Sequence, residues 1–453
     1  MPASQTSPTL AALAGDLHSG RTSAEALTRA CLERASDPAG EGARSFLALY
    51  GERALAQARA TDSLRAAGVL LSPVMGIPVS IKDLFDVAGE VTCAGSTVLR
   101  ESAAATRDAV AVERVKRAGM VIIGRTNMVE FAYSGLGLNP HYGTPRNPWD
   151  RSTGRIPGGS SSGAAISVTD AMCAAAIGTD TGGSVRIPAA LCGLTGFKPT
   201  ARRVDLGGAL PLATSFDSIG PLARSVACCE MLDAILAGMP TAPGAPLASA
   251  GLRFLVPSNV VQDDLDGAVG AAFERALVRL AQAGALIVVQ RVAEIDQWIA
   301  APDQRTGLAS AEAFAWHRQL ISQHEARYDA RVAQRILRGA AASAADFIGW
   351  QAERRAWIAT MELRLAGFDA LLTPTVACVA PPLAPLESDD ALYARTNQMV
   401  LRNTRMINYL DGCALTLPCH REGDAPVGLM VSGPAGADRR ILAVGAAVER
   451  ALG

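Results

Sequence analysis

The sequence predicts an α/β fold, and three observations carry that expectation. Segments with helical periodicity alternate with short apolar runs of strand length; "AVAVERVKRAGMVIIGRTN" (109–127) gives helix, glycine stop, buried strand and loop in turn. That alternation is how a sheet dressed by helices is written along a chain. The 453 residues, 49% hydrophobic and 19% charged, supply material for a large core, with no internal repeat or low-complexity tail.

Each element follows in order. Residues 8–36 and 45–67 have helical periodicity, with "SPTL" and "RTSAEAL" as capping signals, and make N-terminal outer helices within 1–70. "MGIPVSIKDLF" is a short apolar strand running into Lys82. From 131 to 163 the text turns to Gly, Pro, Asn and Ser, and the aromatics among them favour an ordered loop. "AAISVTDAMCAAAIGTD" gives a helix, then a strand of small residues ending at the 178–184 turn.

A Pro/Ala-rich stretch, 238–251, separates this half from a strand "LRFLVPS" and a helix "GAVGAAFERALVRLAQAG". Residues 305–366 are mainly helical. The apolar "DALL" precedes a proline-rich loop, and the tail gives strand "CALTLPC", strand "PVGLMVSG" and a terminal helix. The expectation is one domain over 1–453.

Composition excludes several classes of function. A net charge of −1 without a basic stripe leaves no electrostatic footprint for nucleic acid or an anionic membrane. The first twenty residues lack a basic n-region and a continuous apolar run, and no apolar run reaches spanning length, so the expected location is cytoplasmic. Nine scattered cysteines without C-x-x-C, and five histidines without ligand spacing, indicate neither a disulfide framework nor a metal. One detail is sharper: of 42 basic residues only Lys82, Lys116 and Lys198 are lysines. Where arginine fills almost every basic position, a surviving lysine marks a place for a group that can lose its proton.

Familiar readings of the glycines and serines fail. No Gly-Lys pair exists for a P-loop, no G-x-G-x-x-G opens a helix after a strand, and S-x-x-K is absent at all three lysines. "GSSSG" (159–163) fits G-x-S-x-G, but the elbow needs a buried strand before it and "DRSTGRIP" cannot be one.

Three segments remain: "GIPVSIKD" with Lys82, "GGSSSGAA" with Ser160, Ser161 and Ser162, and "GTDTGGSVRIPAALCGLTGFKPT" with Ser184. In them, and in "GRTNMVEFAYSG", "GTPRNPWD", "SFDSIGPLARSV" and the tail, the chain resembles the amidase signature family over most of its length. The resemblance implies a central mixed β-sheet covered by helices on both faces. Residues 71–238 would be its catalytic core, and 252–453 the rest of the sheet with a helical substrate-side insertion at about 305–366. It also implies a Ser–cisSer–Lys triad: Ser184 as nucleophile, Ser160 as bridge after a cis peptide bond, and Lys82 as base. The oxyanion donors would be the backbone of Thr181, Gly182, Gly183 and Ser184. No cofactor is called for.

The chemistry of these residue types is coherent. A buried, neutral Lys82 can take a proton through a hydroxyl that donates and accepts at once, and an arginine there would be inert. Glycines beside Ser184 let backbone N–H groups approach a developing oxyanion. Ser161 and Ser162 are turn formers, Ser162 departing from the commoner Gly-Gly-Ser-Ser-Gly-Gly form. Asp180 and Arg186 form a loop-stiffening ion pair, Lys116 and Lys198 are surface and structural residues, and Asp83 points away from Lys82. Met128, Phe131, Tyr133 and Ile187 are candidate walls of the acyl pocket, each equally able to be core.

The expected activity is a serine amidohydrolase acting on a small-molecule carboxamide, with aryl amide, carbamate or ester left open, and with homodimerisation open. Glutamine-dependent tRNA amidotransferase subunits of this family usually have glutamine where this chain has Ile187, which favours an apolar or aryl amide. Two alternatives stand: the glutaminase subunit of such a transamidase, and a non-catalytic ligand-binding scaffold.

Overall fold

The computed structural model describes residues 8–241 and 246–453. Of the Pro/Ala-rich 238–251 stretch, residues 242–245 therefore lie outside the described residues. Its strands are β1 (Phe46–Leu49), β2 (Pro78–Lys82), β3 (Val121–Thr126), β4 (Ala175–Asp180), β5 (Thr195–Lys198), β6 (Ser218–Ala223), β7 (Arg253–Pro257), β8 (Leu286–Gln290), β9 (Ala370–Pro374), β10 (Cys413–Pro418) and β11 (Gly428–Gly433). They form one sheet in the order β1-β3-β2-β4-β6-β5-β10-β11-β9-β7-β8.

The sheet is mixed. β3, β2 and β4 run parallel to one another, as do β9, β7 and β8, and the strands between them pair antiparallel. The two halves of the chain join where β5 pairs with β10, Phe197 opposite Leu415. Strands β2, β3, β4, β5, β6, β9 and β11 are buried at every position, on alternate sides alike. Side chains of both faces are therefore covered, which is the α/β arrangement of helices on both sides. The outer strand β8 keeps an exposed or half-buried pattern. Among the described residues no helix is long and apolar enough to cross a membrane.

Local signals account for much of this. Thr9 and Ser23 cap the first two helices, accepting from the N–H groups of Ala12 and Ala26 at 3.2 and 3.1 Å. The helix Val110–Arg117 stops at Gly119, with φ of +75°, before β3.

Four differences from the sequence reading have physical causes. Residues 46–49 leave the expected 45–67 helix to pair with β3 as β1, and helix starts only at Gly51. β5 and β6, "TGFK" and "SIGPLA", carry Gly and Pro and so lack a propensity signal, yet both are fully buried ladder strands. The five-residue β8 follows the helix stop at Gly284, φ +88°, and pairs only with β7 at the edge of the sheet, an edge position the sequence reading passes over. The 20-residue helix Asp390–Tyr409 is rich in Asn and Thr, poor helix formers that here hydrogen-bond neighbouring elements.

Candidate active site

The chemistry-bearing side chains meet at the carboxyl ends of the parallel strands β2 and β4, where open α/β sheets place their ligands. Lys82 is the last residue of β2 and is completely buried. Its Nζ donates to Ser160 Oγ at 2.7 Å and to Thr179 Oγ1 at 2.9 Å, Thr179 lying on the neighbouring β4. Burial lowers the Lys82 pKa to about 7, against the opposing pull of the Asp180 and Asp217 charges. Asp83 turns away, paired with Arg125 at 2.8 Å and accepting from the N–H of Gly95.

Ser160 sits in the loop before the helix Ser162–Thr169, and the Gly159–Ser160 peptide bond is cis. Gly159 is required by close approach: a Cβ there would stand 2.6 Å from the backbone N of Gly137. Among the described residues no strand runs directly into the Gly/Ser run; Arg155 makes only an isolated bridge to Pro382. Ser161 donates its N–H to the carbonyl of Ser184 at 3.2 Å, which ties the two loops together. Ser162 Oγ donates to the Asn127 carbonyl at 3.5 Å.

Ser184 is 4% exposed and lines a cavity of about 920 Å³. Its turn is held from behind by Asp180, whose carboxylate binds the Arg186 guanidinium through two bonds of 3.0 and 2.9 Å and accepts from Asn408 at 2.9 Å. Burial alone would raise this carboxyl; the charge and hydrogen bonds of Arg186, with Lys198 and Asn408, hold it well below the usual carboxylate range. Thr404, on the Asn/Thr-rich helix, donates to the carbonyl of Gly182 at 2.7 Å.

The oxyanion expectation is altered at one position. Gly183, with φ of +135°, donates its N–H to Asp180 Oδ1 at 2.9 Å, because a buried carboxylate collects every donor within reach. Among the described residues no protein acceptor takes the N–H groups of Thr181, Gly182 or Ser184.

The wall expectation is corrected at three of four positions. Tyr133 lines the cavity, whereas Met128, Phe131 and Ile187 are core. Phe131 packs edge-on to His317, ring centroids 4.5 Å apart, and beside Tyr328. Ile187 belongs to an apolar cluster with Leu136, Val400 and Leu401. The elements packed over these side chains come from far along the chain, so the local sequence does not announce their burial.

The walls come instead from the helix Ala330–Leu337 and the turn after it, from Asp390–Tyr409, and from Leu212 and Phe216. Sequence reasoning does not single these residues out. A signal exists for one set: Arg331, Arg335 and Arg338 are spaced i, i+4, i+7, which puts them on one helix face. Asp217 has no such signal. It is buried, accepts from Thr181 Oγ1 at 2.5 Å and from the N–H groups of Leu212 and Ala213, and burial raises its carboxyl to about 6.

Of the other two lysines, Lys116 pairs with Asp108 at 2.6 Å near the surface, and Lys198 is buried and bonded to the carbonyls of Pro199 and Gly412.

Comparison with known proteins agrees with this architecture. The Amidase family pattern matches residues 26–442. The 2-amino-5-chloromuconic acid deaminase of Comamonas testosteroni is 39% identical over 411 residues, covering 89% of this chain and 87% of that one. A glutamyl-tRNA(Gln) amidotransferase subunit from Acidothermus cellulolyticus is 34% identical, covering 97% and 93%. Among solved structures, one described as an amidase superposes with a TM-score of 0.89 at 34% identity, covering 98% of this chain and all of that one. The native peptide amidase of Stenotrophomonas maltophilia superposes at 0.81 with 27% identity, covering 99% and 97%. With a pattern match spanning nearly the whole chain and a mixed sheet of the same build, this protein belongs to the amidase family, whose members hydrolyse amide bonds.

Proposed function

We propose that the protein is a serine amidohydrolase that cleaves a linear carboxamide through an acyl-enzyme, with Ser184 as nucleophile, Ser160 as proton bridge and Lys82 as base. The observation that carries this reading is the fully buried Lys82, its pKa brought to about 7, with Nζ 2.7 Å from Ser160 Oγ. A lysine so placed holds a substantial neutral fraction at neutral pH, the form that can accept a proton.

Ser184 Oγ attacks the carbonyl carbon, forming a C–O bond, while its proton passes to Ser160 and the Ser160 proton passes to Lys82. The oxyanion is met by the backbone N–H groups of Thr181, Gly182 and Ser184, which have no other protein acceptor among the described residues. The C–N bond breaks, and the proton returns by the same relay to the leaving nitrogen. Water then attacks the ester carbon, gives its proton to the relay, and releases a carboxylic acid and free Ser184.

The substrate is a small molecule, and the chain works in the cytoplasm, a location that suits free and mostly buried cysteines. The test is twofold. A fluorophosphonate should label Ser184, located by mass spectrometry, and the isolated chain should hydrolyse members of a panel of anilides, aliphatic amides, ureas, carbamates and glutamine. Labelling at Ser160 or Ser161 would move the nucleophile to the Gly/Ser run. A second reading, the glutaminase subunit of a tRNA-dependent amidotransferase, is supported by the 34% identity to the Acidothermus protein over 97% of the chain. It requires glutamine turnover only in the presence of partner chains, which co-purification and reconstitution would reveal.

A further inference from the structure

Among the described residues the cavity beside Ser184 is lined by four arginines, Arg331, Arg335, Arg338 and Arg405, and by two carboxylates, Asp346 and Asp390. Both carboxylates are already engaged. Asp390 pairs with Arg331 at 2.6 Å. Asp346 caps its own helix, accepting from the N–H and Oγ of Ser343 at 3.0 and 2.7 Å. Arg335 donates to the carbonyl of Tyr133 and lies over the ring of Tyr393. Neither partner removes its charge. Among the described residues no carboxylate pairs with Arg338.

The positive charge converges on one place. Tyr133 lines the same cavity, and while burial raises its phenol pKa, the charges of Arg335, Arg405 and Arg338 all act to lower it. Three cations thus act together on the cavity wall at Tyr133. Beside the nucleophile turn Leu401 stands against Gly182, and Leu212 and Phe216 add apolar surface to the cavity lining. A guanidinium that lines a cavity and keeps its charge favours a planar anion able to accept two parallel hydrogen bonds.

We propose that this cavity takes an amide whose acyl part carries a carboxylate, with Arg338 as the specificity-determining contact within a wall shared with Arg335 and Arg405. The inference rests on the hydrolase reading above and names its substrate class. The acyl chain would span from the apolar turn at Ser184 to the arginine row on the helix Ala330–Leu337 and the turn that follows. Among the described residues both carboxylates that line the cavity, Asp346 and Asp390, already have partners, so an acid without an α-amine fits better than an amino acid amide.

The test compares kcat/KM for the monoamides of C4 to C6 dicarboxylic acids with branched alkanamides of the same length, in which an isopropyl group replaces the carboxylate. The acids should be preferred by about tenfold or more, as expected for a hydrogen-bonded charge pair. The preference should shrink as salt rises from about 0.05 to about 0.5 M. Arg338→Leu should raise KM for the acids and cut the preference about tenfold, and Arg338→Lys should restore part of it. Equal turnover of acids and alkanamides, or a preference that neither Arg338→Leu nor salt changes, overturns the proposal. So does L-glutamine being preferred to glutaramate. If Arg338→Leu fails to fold, Arg338→Lys and the salt dependence decide. Cleavage of alkanamides without an acid preference defeats the anion reading alone; no cleavage of any amide and no fluorophosphonate labelling defeats the hydrolase reading itself.

Discussion

Two lysines of this chain are buried almost identically and live in different chemistry. Lys82 is 0% exposed and Lys198 1%, and burial lowers their pKa values to about 7 and about 8. Both feel the charge of Asp180. The difference is in what their ammonium groups touch. Lys82 donates to two hydroxyls, those of Ser160 and Thr179, and a hydroxyl can pass a proton on. Lys198 donates to two backbone carbonyls at 2.7 Å each, and a carbonyl can only accept. Burial therefore makes a lysine available for deprotonation, and the partners decide whether that has a chemical use. Lys198 instead joins the strand end after β5 to Gly412, just before β10, where the two halves of the sheet meet.

The largest loss of activity is expected at the nucleophile. Ser184→Ala should abolish fluorophosphonate labelling and lower amide hydrolysis by several powers of ten, with the melting temperature kept, since only a hydroxyl is lost. Residual labelling elsewhere would break the assignment of the site. Lys82→Arg should be nearly as damaging as Lys82→Ala, by about 10²- to 10⁴-fold, because a guanidinium cannot take the Ser160 proton. If Lys82→Arg kept most of its activity, the two buried lysines would be alike after all.

The pH profile sharpens the same contrast. Activity needs neutral Lys82, so kcat/KM should fall as pH drops through about 7, with a limb of about tenfold per pH unit. Asp217 raises the Lys82 pKa by its charge. Asp217→Asn removes that charge, so the acid limb should move to lower pH; a shift to higher pH would contradict the assignment of the limb to Lys82. Lys198→Met should have the smallest effect on activity. It leaves the limb in place while costing about 1–3 kcal/mol in denaturant unfolding, because two buried carbonyls lose their donor. A moved limb would show that Lys198, not Lys82, sets the profile.

Some of the candidate site was legible because its residue types are unusual for this chain. Lys82 stands out against the arginines, and Ser160 and Ser184 stand in Gly-rich turns that only special backbone geometry explains. Asp217 was not legible, because a lone aspartate in "SFDSIG" looks like a turn former until Thr181 and two backbone N–H groups are seen to converge on it. The helix Asp390–Tyr409 hid for a related reason. Its Asn397, Asn403, Thr404 and Asn408 weaken a helix locally, yet they fasten it to Ser134, Pro374, Gly182 and Asp180.

By itself the sequence determined the α/β class, most strands and helices of regular pattern, and the residues able to do proton chemistry, since these depend on local periodicity and on side-chain type. Tertiary structure alone decided the order of the eleven described strands, the burial that brings Lys82 to near neutrality, and the capture of the Gly183 N–H by Asp180. It also decided which side chains face the substrate. Phe131 and Ile187 went to the core, and an arginine row more than 140 residues beyond Ser184 in sequence became the wall of its cavity. Desolvation, hydrogen-bond competition and cavity shape are properties of atoms far apart in the chain, so they exist only once the chain has packed.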